Sequence, residues 1–187
     1  MTSRHSLGDA LWTLKPIHGL VAGYRYNLDG LVTYAHSRKP SVQSYLQLFR
    51  NGIIEAVETS MLRVNTEGTP CIPGVAYEKE LLAALPIYLS TQKRLDIAPP
   101  LFVTLSLLGV SGYIMDVSRR LNLSGEHIYP VDRDALVLPE IVIESFEVDA
   151  AEVMRPIFDS VWNAAGWPRS LNYDESGEWG KGVNCLF

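Results

Sequence analysis

Residues 42–59 read VQSYLQLFRNGIIEAVET, so two runs of β-forming residues flank Asn51-Gly52. An Asn-Gly pair between such runs is the strongest short-range signal of a β-hairpin, because a two-residue type I′ turn needs positive φ at both positions. Counting outward from a two-residue loop pairs Phe49 with Ile54. The sequence therefore predicts an antiparallel hairpin in that register.

Further β-forming runs, bounded by turn residues, lie on both sides of this hairpin. One pair of strands is predicted before it. A second pair, joined by a glycine-containing turn, and one more strand are predicted after it. These strands cover residues 20–26, 31–36, 101–108, 113–117 and 137–146.

Two long helices are predicted from apolar residues spaced three, four and seven positions apart. One covers residues 76–95, and Pro86 within it predicts a kink or a break. The other follows Asp149, which has Glu152 three residues later as in a capping box, and runs to about residue 165. A short helix is also predicted over residues 6–14.

The order of these elements decides the fold class. Hairpins dominate and no strand–helix–strand unit recurs, so we expect an α+β fold: a largely antiparallel, hairpin-rich sheet with two main helices packed on it. A chain of 187 residues suits one domain. We predict a single α+β domain over residues 1–170 and an irregular C-terminal tail over residues 171–187.

Charge and hydropathy limit the classes of partner. The net charge of −5 disfavours a dedicated nucleic-acid surface, so nucleic-acid binding is expected to be weak or indirect. The first residues do not resemble a signal peptide, and the apolar stretch over residues 99–110 is shorter than the roughly 20 residues that cross a bilayer. We expect a cytoplasmic protein with no membrane association, in which Cys71 and Cys185 are reduced.

No segment matches a complete catalytic, metal-binding or cofactor-binding motif. The segment Gly109-Val110-Ser111-Gly112 resembles part of a nucleophile elbow, but it lacks a glycine that the motif requires. The four histidines have no metal-ligand spacing. We therefore assign no catalytic residue, no metal and no cofactor. The sequence does not decide whether the protein is an enzyme, but it favours a protein that is not.

The richest group of charges lies in residues 118–134. Arg119, Arg120 and Arg133 are candidates for an anion or phosphate site, because a guanidinium binds phosphate through two donors. The alternative is local ion pairing of these arginines, with carboxylates close in sequence as partners. Those carboxylates are Asp116, Asp132 and Asp134.

Aromatic residues are concentrated near the C-terminus. Helical spacing predicts that Trp162 is a core residue. Trp167, Tyr173 and Trp179 either dock on the sheet or form a surface for a partner, and docking is favoured.

Three segments resemble the C-terminal region of bacterial DNA-binding or ATP-binding proteins that carry a Schlafen-type, Alba-like N-terminal domain. They are YLQLFRNG at residues 45–52, LSLLGV followed by Gly112-Tyr113 at residues 105–113, and RPIFD through WNAAGWP at residues 155–168. In that family nucleic-acid binding belongs to the N-terminal domain, which we expect this chain to lack. The resemblance implies a companion module and transfers no site residue; the short N-terminus suggests a fragment, a split gene or a stand-alone relative.

These observations lead to one functional hypothesis and two alternatives. The hypothesis is a non-catalytic binding or regulatory module, a companion to a Schlafen-type protein in transcription control or defence, with a protein partner or self-association. The first alternative is a nucleotide- or nucleic-acid-processing enzyme that uses an arginine/carboxylate site. The second is an oligomerisation domain. A concave site with a raised carboxyl pKa would favour the enzyme, and an exposed apolar patch would favour the module.

Overall fold

A computed structural model of the chain describes residues 14–17, 19, 23–36, 42–117, 129–183 and 185. The chain divides into two compact units. The first comprises Met1–Ser60 and Ala83–Ala98, and the second comprises Met61–Leu82 and Pro99–Phe187. The described elements are helices and mainly antiparallel strands, which confirms the predicted α+β class.

The first unit contains a four-stranded antiparallel sheet in the order β1-β2-β3-β4. Each strand pairs with its neighbour in the sequence, so the sheet is built from successive hairpins. The strands are β1 (Gly23–Tyr26), β2 (Gly30–His36), β3 (Val42–Phe49) and β4 (Ile54–Glu58).

The predicted β3–β4 hairpin is present, but its predicted register is wrong by one residue. Leu48, not Phe49, pairs with Ile54. The Phe49 amide donates to the Ile53 carbonyl (2.8 Å), which makes the loop three residues long. Gly52 has φ 88°, whereas Asn51 is not among the positive-φ residues, so the loop is not a type I′ turn. One left-handed glycine after a turn is the usual three-residue solution.

One face of the first sheet carries the core of its unit. Leu31 and Leu46, on adjacent strands, are buried together with Leu14. Ile54 and Tyr88 pack against this cluster. The core is continuous across β2, β3 and β4 because alternate residues of each strand point to the same face.

The second unit contains three small sheets. A three-stranded sheet has the order β5-β6-β9, and two antiparallel pairs join β7 to β11 and β8 to β10. These strands are β5 (Arg63–Val64), β6 (Pro70–Pro73), β7 (Leu101–Val103), β8 (Ser106–Leu108), β9 (Ile114–Asp116), β10 (Ala135–Val137) and β11 (Ile141–Ile143).

The pairing corrects two strand predictions for this unit. The sequence predicts that the run over residues 101–108 returns on residues 113–117, but β9 pairs in parallel with β6 instead. Residues 101–108 pair with residues 135–143, and both runs are split in two where the register shifts by one residue. A strongly apolar strand can pair with any compatible edge, so contacts distant in sequence decide the partner.

Both predicted long helices are present. Helix α1 (Gly74–Arg94) continues through Pro86, so the helix is not broken there. Leu85 and Leu89, on either side of the proline, are buried. Their packing offsets the hydrogen bond that proline removes.

Helix α2 (Ala150–Ala164) begins where the capping residue predicts. The Asp149 carboxylate accepts hydrogen bonds from the amides of Ala151 (2.7 Å) and Glu152 (3.0 Å), which confirms the N-cap. Trp162 is fully buried, as predicted. The buried residues of α2 are Met154, Ile157, Phe158, Val161 and Trp162.

Some predictions fall outside the described residues. These are the helix over residues 6–14, apart from Leu14, the first three residues of the strand over residues 20–26, and the two arginines at positions 119 and 120. Among the helices that are described, none is long and apolar enough to cross a membrane.

Candidate functional site

The described part of the predicted anion site is an exposed ion pair. Arg133 Nε lies 2.8 Å from Asp132 Oδ1, and its Nη2 lies 3.2 Å from Asp132 Oδ2. The pairing raises the pKa of Arg133 and lowers the pKa of Asp132. Arg119 and Arg120 lie outside the described residues, so the three-arginine site stays a prediction.

The other two acidic residues near this segment have separate roles. Asp116 Oδ2 accepts from Arg63 Nη2 at 3.1 Å, which ties β9 to β5. The main-chain carbonyl of Asp134 accepts from the Val110 amide at 3.0 Å. Arg133 is therefore paired with a carboxylate next to it in the sequence, while Asp116 is paired with an arginine far away in the sequence.

A buried carboxylate in α1 accepts hydrogen bonds from residues in the C-terminal part of the chain. Glu78 is fully buried. Its Oε1 accepts hydrogen bonds from Trp162 Nε1 and Ser170 Oγ, both at 2.7 Å. Its Oε2 accepts from Trp179 Nε1 at 2.7 Å. We call these four residues the Glu78 cluster.

Opposing effects act on the Glu78 carboxyl group. Burial raises its pKa because desolvation penalises the charged form, and the donors around it partly offset this rise. The neighbouring Tyr77 hydroxyl also donates to Oε1 (3.3 Å), and burial raises the pKa of that phenol well above its usual value. An indole N–H can only donate, so the cluster is built for an acceptor at position 78.

Further contacts tie the C-terminal segment to the helices of the second unit. Buried Asn172 donates from Nδ2 to the Gly74 carbonyl at 2.9 Å. Buried Tyr173 donates its hydroxyl to the Ala151 carbonyl at 2.7 Å, and Arg155 stacks over its ring. The aromatic residues dock on helices and not, as predicted, on the sheet: Tyr173 and Trp179 bond to Ala151 and Glu78, and Trp167 lies edge-on to Trp162. The Glu78 carboxylate is closed to solvent, so its chemistry is that of a structural anchor.

The strands β7 and β8, paired with β11 and β10, form what we call the ribbon. Its outward face exposes four large apolar side chains, which we call the ribbon face. Phe102 lies directly opposite Val142 in the register, and their exposed fractions are 62% and 44%. Leu108 is 67% exposed and Val137 is 77% exposed.

The ribbon follows a strict alternation along residues 101–108. Leu107 is buried and Leu101, Val103 and Leu105 are half-buried, whereas the even-numbered residues are all exposed. Those outward residues include Phe102 and Leu108. The outward residues of a half-buried antiparallel strand are usually polar because they contact water. Large apolar residues exposed on this face therefore indicate a binding surface.

Acidic residues flank β10 and β11 of the ribbon. Residues 97–115, which include β7 and β8, contain no charged residue. Asp132 and Asp134 lie next to the β8–β10 end, and Glu144 directly follows β11 at the other end. Glu140 lies where the two strand pairs meet. All four are exposed, and Arg133 is the only Lys or Arg within residues 129–150.

One edge of the ribbon is open as far as the described residues show. Within the described residues, β8 has β10 as its one hydrogen-bonded neighbour. The Leu138 amide donates to the Leu105 carbonyl at 3.1 Å, which makes these residues a hydrogen-bonded pair. In antiparallel strands such pairs alternate, so the main-chain groups of Ser106 and Leu108 point away from β10.

Neither metal-binding geometry nor similarity to known proteins adds an assignment. No group of three or more His, Cys, Asp and Glu residues in the described ranges is placed to hold a metal ion. No family model, curated protein or solved structure matches this chain.

Sequence reasoning missed both the Glu78 cluster and the ribbon face. No local pattern marks Glu78, because its partners Trp162, Ser170 and Trp179 are 84 to 101 residues away. The ribbon face does leave a signal. The apolar character of residues 101–108 predicts a wholly buried strand, but Thr104 and Ser106 fall at alternate positions and mark an outward face.

Proposed function

We propose that the protein is a non-catalytic binding module whose ribbon face docks a protein partner that carries apolar and positively charged side chains. The observation that supports this most directly is the exposure of Phe102, Leu108, Val137 and Val142 on one face of a sheet. Phe102 and Val142 pair at one end of this face, Leu108 and Val137 lie toward the other end, and exposed apolar groups of this kind with polar neighbours are typical of protein interaction sites.

The charges around the ribbon face favour one class of partner. Asp132 is compensated by its pair with Arg133, whereas Asp134, Glu140 and Glu144 repel nucleic acid and anionic lipid and attract lysine and arginine. A second copy of this chain would bring the same acidic rim against itself. A basic protein surface is therefore the occupant that the charges favour.

The enzyme alternative has less support from the described residues. It requires an arginine that meets a carboxyl group of raised pKa in a cleft. Arg133 and Asp132 are instead exposed, and the pKa of Asp132 is lowered. We also propose, from the sequence resemblance alone, a role beside a Schlafen-type protein in transcription control or defence. The comparisons with known proteins do not test this role.

Quantitative affinity capture from the cells that produce the protein tests the proposal. The tagged chain is compared with Leu108→Ser/Val137→Ser, which removes two apolar side chains from the ribbon face, and with Val64→Ser as a control. Val64 is 60% exposed on β5, outside the ribbon. We expect a partner that wild type and the control retain and the double variant loses.

The result that contradicts the proposal is equal retention of every captured protein by all three chains. A purified partner then allows titration, in which truncation of the two apolar residues should weaken binding by about tenfold or more, as at the centre of a protein interface.

A further inference from the structure

The open edge of β8 lies beside the ribbon face, and the two features together suggest how a partner binds. An exposed strand edge presents unpaired N–H and C=O groups that pair with an added strand. Proteins usually protect such edges with charges, yet residues 97–115 carry none. The acidic residues lie on the opposite strand segment: Asp134 and Glu144 lie beyond its two ends, and Glu140 lies between β10 and β11.

We infer that the ribbon binds an extended, basic segment of a partner protein, which adds as a strand along residues 101–108 and places lysine or arginine near the acidic ends. This inference rests on the proposed function and specifies the conformation and charge of the partner.

The main chain of β8 supplies the hydrogen bonds of this complex. Ser106 and Leu108 direct their N–H and C=O groups toward the open edge, because Leu105 and Leu107 occupy the hydrogen-bonded positions against β10. An added strand pairs with those groups, and its alternate side chains extend the ribbon face beside Phe102 and Leu108.

The positions of the acidic residues set the length and charge pattern of the segment. Eight residues of strand, from 101 to 108, span about 25 Å. Asp134 precedes Ala135, which pairs with Leu108 at one end, and Glu144 follows Ile143, which pairs with Leu101 at the other. Both acidic residues flank the strands on the far side of β8, so a basic residue at each end of the segment lies two strand spacings, about 10 Å, from an acidic residue, and a lysine or arginine side chain extends toward it.

The same charges disfavour pairing between two copies of the chain. Two β8 edges that pair antiparallel bring the Asp134 end of one copy against the Glu144 end of the other. Three strand spacings, about 14 Å, separate those like charges, so they oppose that arrangement mainly at low salt, and sedimentation tests it directly.

The experiment uses a fluorescein-labelled peptide of alternating valine and threonine, matched in length to residues 101–108, with a lysine at each end. Fluorescence anisotropy with the full chain measures its affinity. A peptide with glutamate at each end is the charge control. We expect the lysine peptide to bind about tenfold more tightly, with affinity that falls as salt rises.

Two changes test strand addition itself. Ser106→Pro removes an N–H that points to the open edge, where an edge strand tolerates proline, and it should weaken binding by about tenfold. N-methylation of alternate residues of the peptide tests the same bonds without altering the protein. Methylation of one alternate set should abolish binding, and methylation of the other should leave it unchanged.

The outcomes separate this inference from the proposed function. Strand addition is wrong if the Ser106→Pro protein binds the lysine peptide as tightly as wild type does and if wild type binds both methylated peptides as tightly as the unmethylated one. The capture experiment then tests the proposed function independently. Failure of the lysine peptide to bind, or a dimer in sedimentation that Leu108→Ser disrupts, also overturns the inference.

Discussion

Trp179 donates its indole hydrogen to Glu78 Oε2 across 2.7 Å, although the two residues are 101 positions apart in the chain. Glu78 belongs to the helix that precedes the ribbon, and Trp179 belongs to the segment that follows the last helix. The bond fastens that final segment to the interior of the second unit. The contribution of this bond to the free energy of unfolding can be measured directly.

Removal of the Trp179 indole N–H should destabilise the protein. Trp179→Phe keeps an aromatic ring but leaves Glu78 Oε2 without this donor in a buried site. We expect a loss of about 1–3 kcal/mol in the free energy of unfolding, measured by urea denaturation. Lys181→Ala, which removes an exposed pair with Glu178, is the control and should leave the midpoint unchanged. Equal midpoints for all three proteins would refute the anchoring role.

The stability of the protein should depend on pH through Glu78. Burial raises the folded-state pKa above the ordinary 4.5, so the folded protein holds this proton more tightly than the unfolded chain does. The resulting stabilisation is complete below pH 4.5 and is lost as pH rises through the folded-state pKa. Glu78→Gln cannot titrate, so its stability should fall less steeply over that window.

The comparison of slopes is informative even if Glu78→Gln is less stable at every pH. Glu175→Gln removes an exposed carboxylate and is the matched control. Glu78 does not contribute to the pH dependence of unfolding if that dependence is the same for wild type and Glu78→Gln.

The three-residue loop between β3 and β4 should be intolerant of a side chain at its glycine. Gly52 has φ 88°, and a Cβ there would meet Ile97 Cδ1 at 2.7 Å. Gly52→Val should therefore cost more than about 1 kcal/mol. Gly68 has φ 84°, and nothing lies within 4 Å of the position that a Cβ would take, so Gly68→Val separates backbone strain from the clash. We expect the larger loss at Gly52, and equal losses would exclude the contact with Ile97 as a cause.

The arginine segment still separates a binding module from an enzyme. A thermal-shift screen with nucleotides, polyphosphate and short oligonucleotides should show no specific stabilisation of wild type or of Arg119→Ala/Arg120→Ala. A true ligand at a hundredfold excess over its Kd would stabilise the fold by about 2.7 kcal/mol. A nucleotide-specific shift that disappears in the double variant would favour the enzyme.

Features governed by neighbours in the chain were predictable. The Asp149 cap depends on amides two and three residues away, and the inward position of Trp162 follows from helical spacing. The existence of the β3–β4 hairpin followed from Asn51-Gly52. Its loop length did not, because both two-residue and three-residue hairpin loops accommodate a glycine with positive φ at the position of Gly52.

Contacts between distant segments required the tertiary structure. The strand Ile114–Asp116 could pair with any compatible edge, and it pairs in parallel with Pro70–Pro73 because the fold brings those segments together. In the sequence, nothing distinguishes Glu78 from an ordinary glutamate of a helix. The tertiary structure places its hydrogen-bond partners Trp162, Ser170 and Trp179 around it. Local sequence determines which backbone conformations are favourable, through propensity, turn chemistry and capping. Strand partners, buried hydrogen bonds and exposed faces depend on the packing free energy of the whole chain, which no single segment contains.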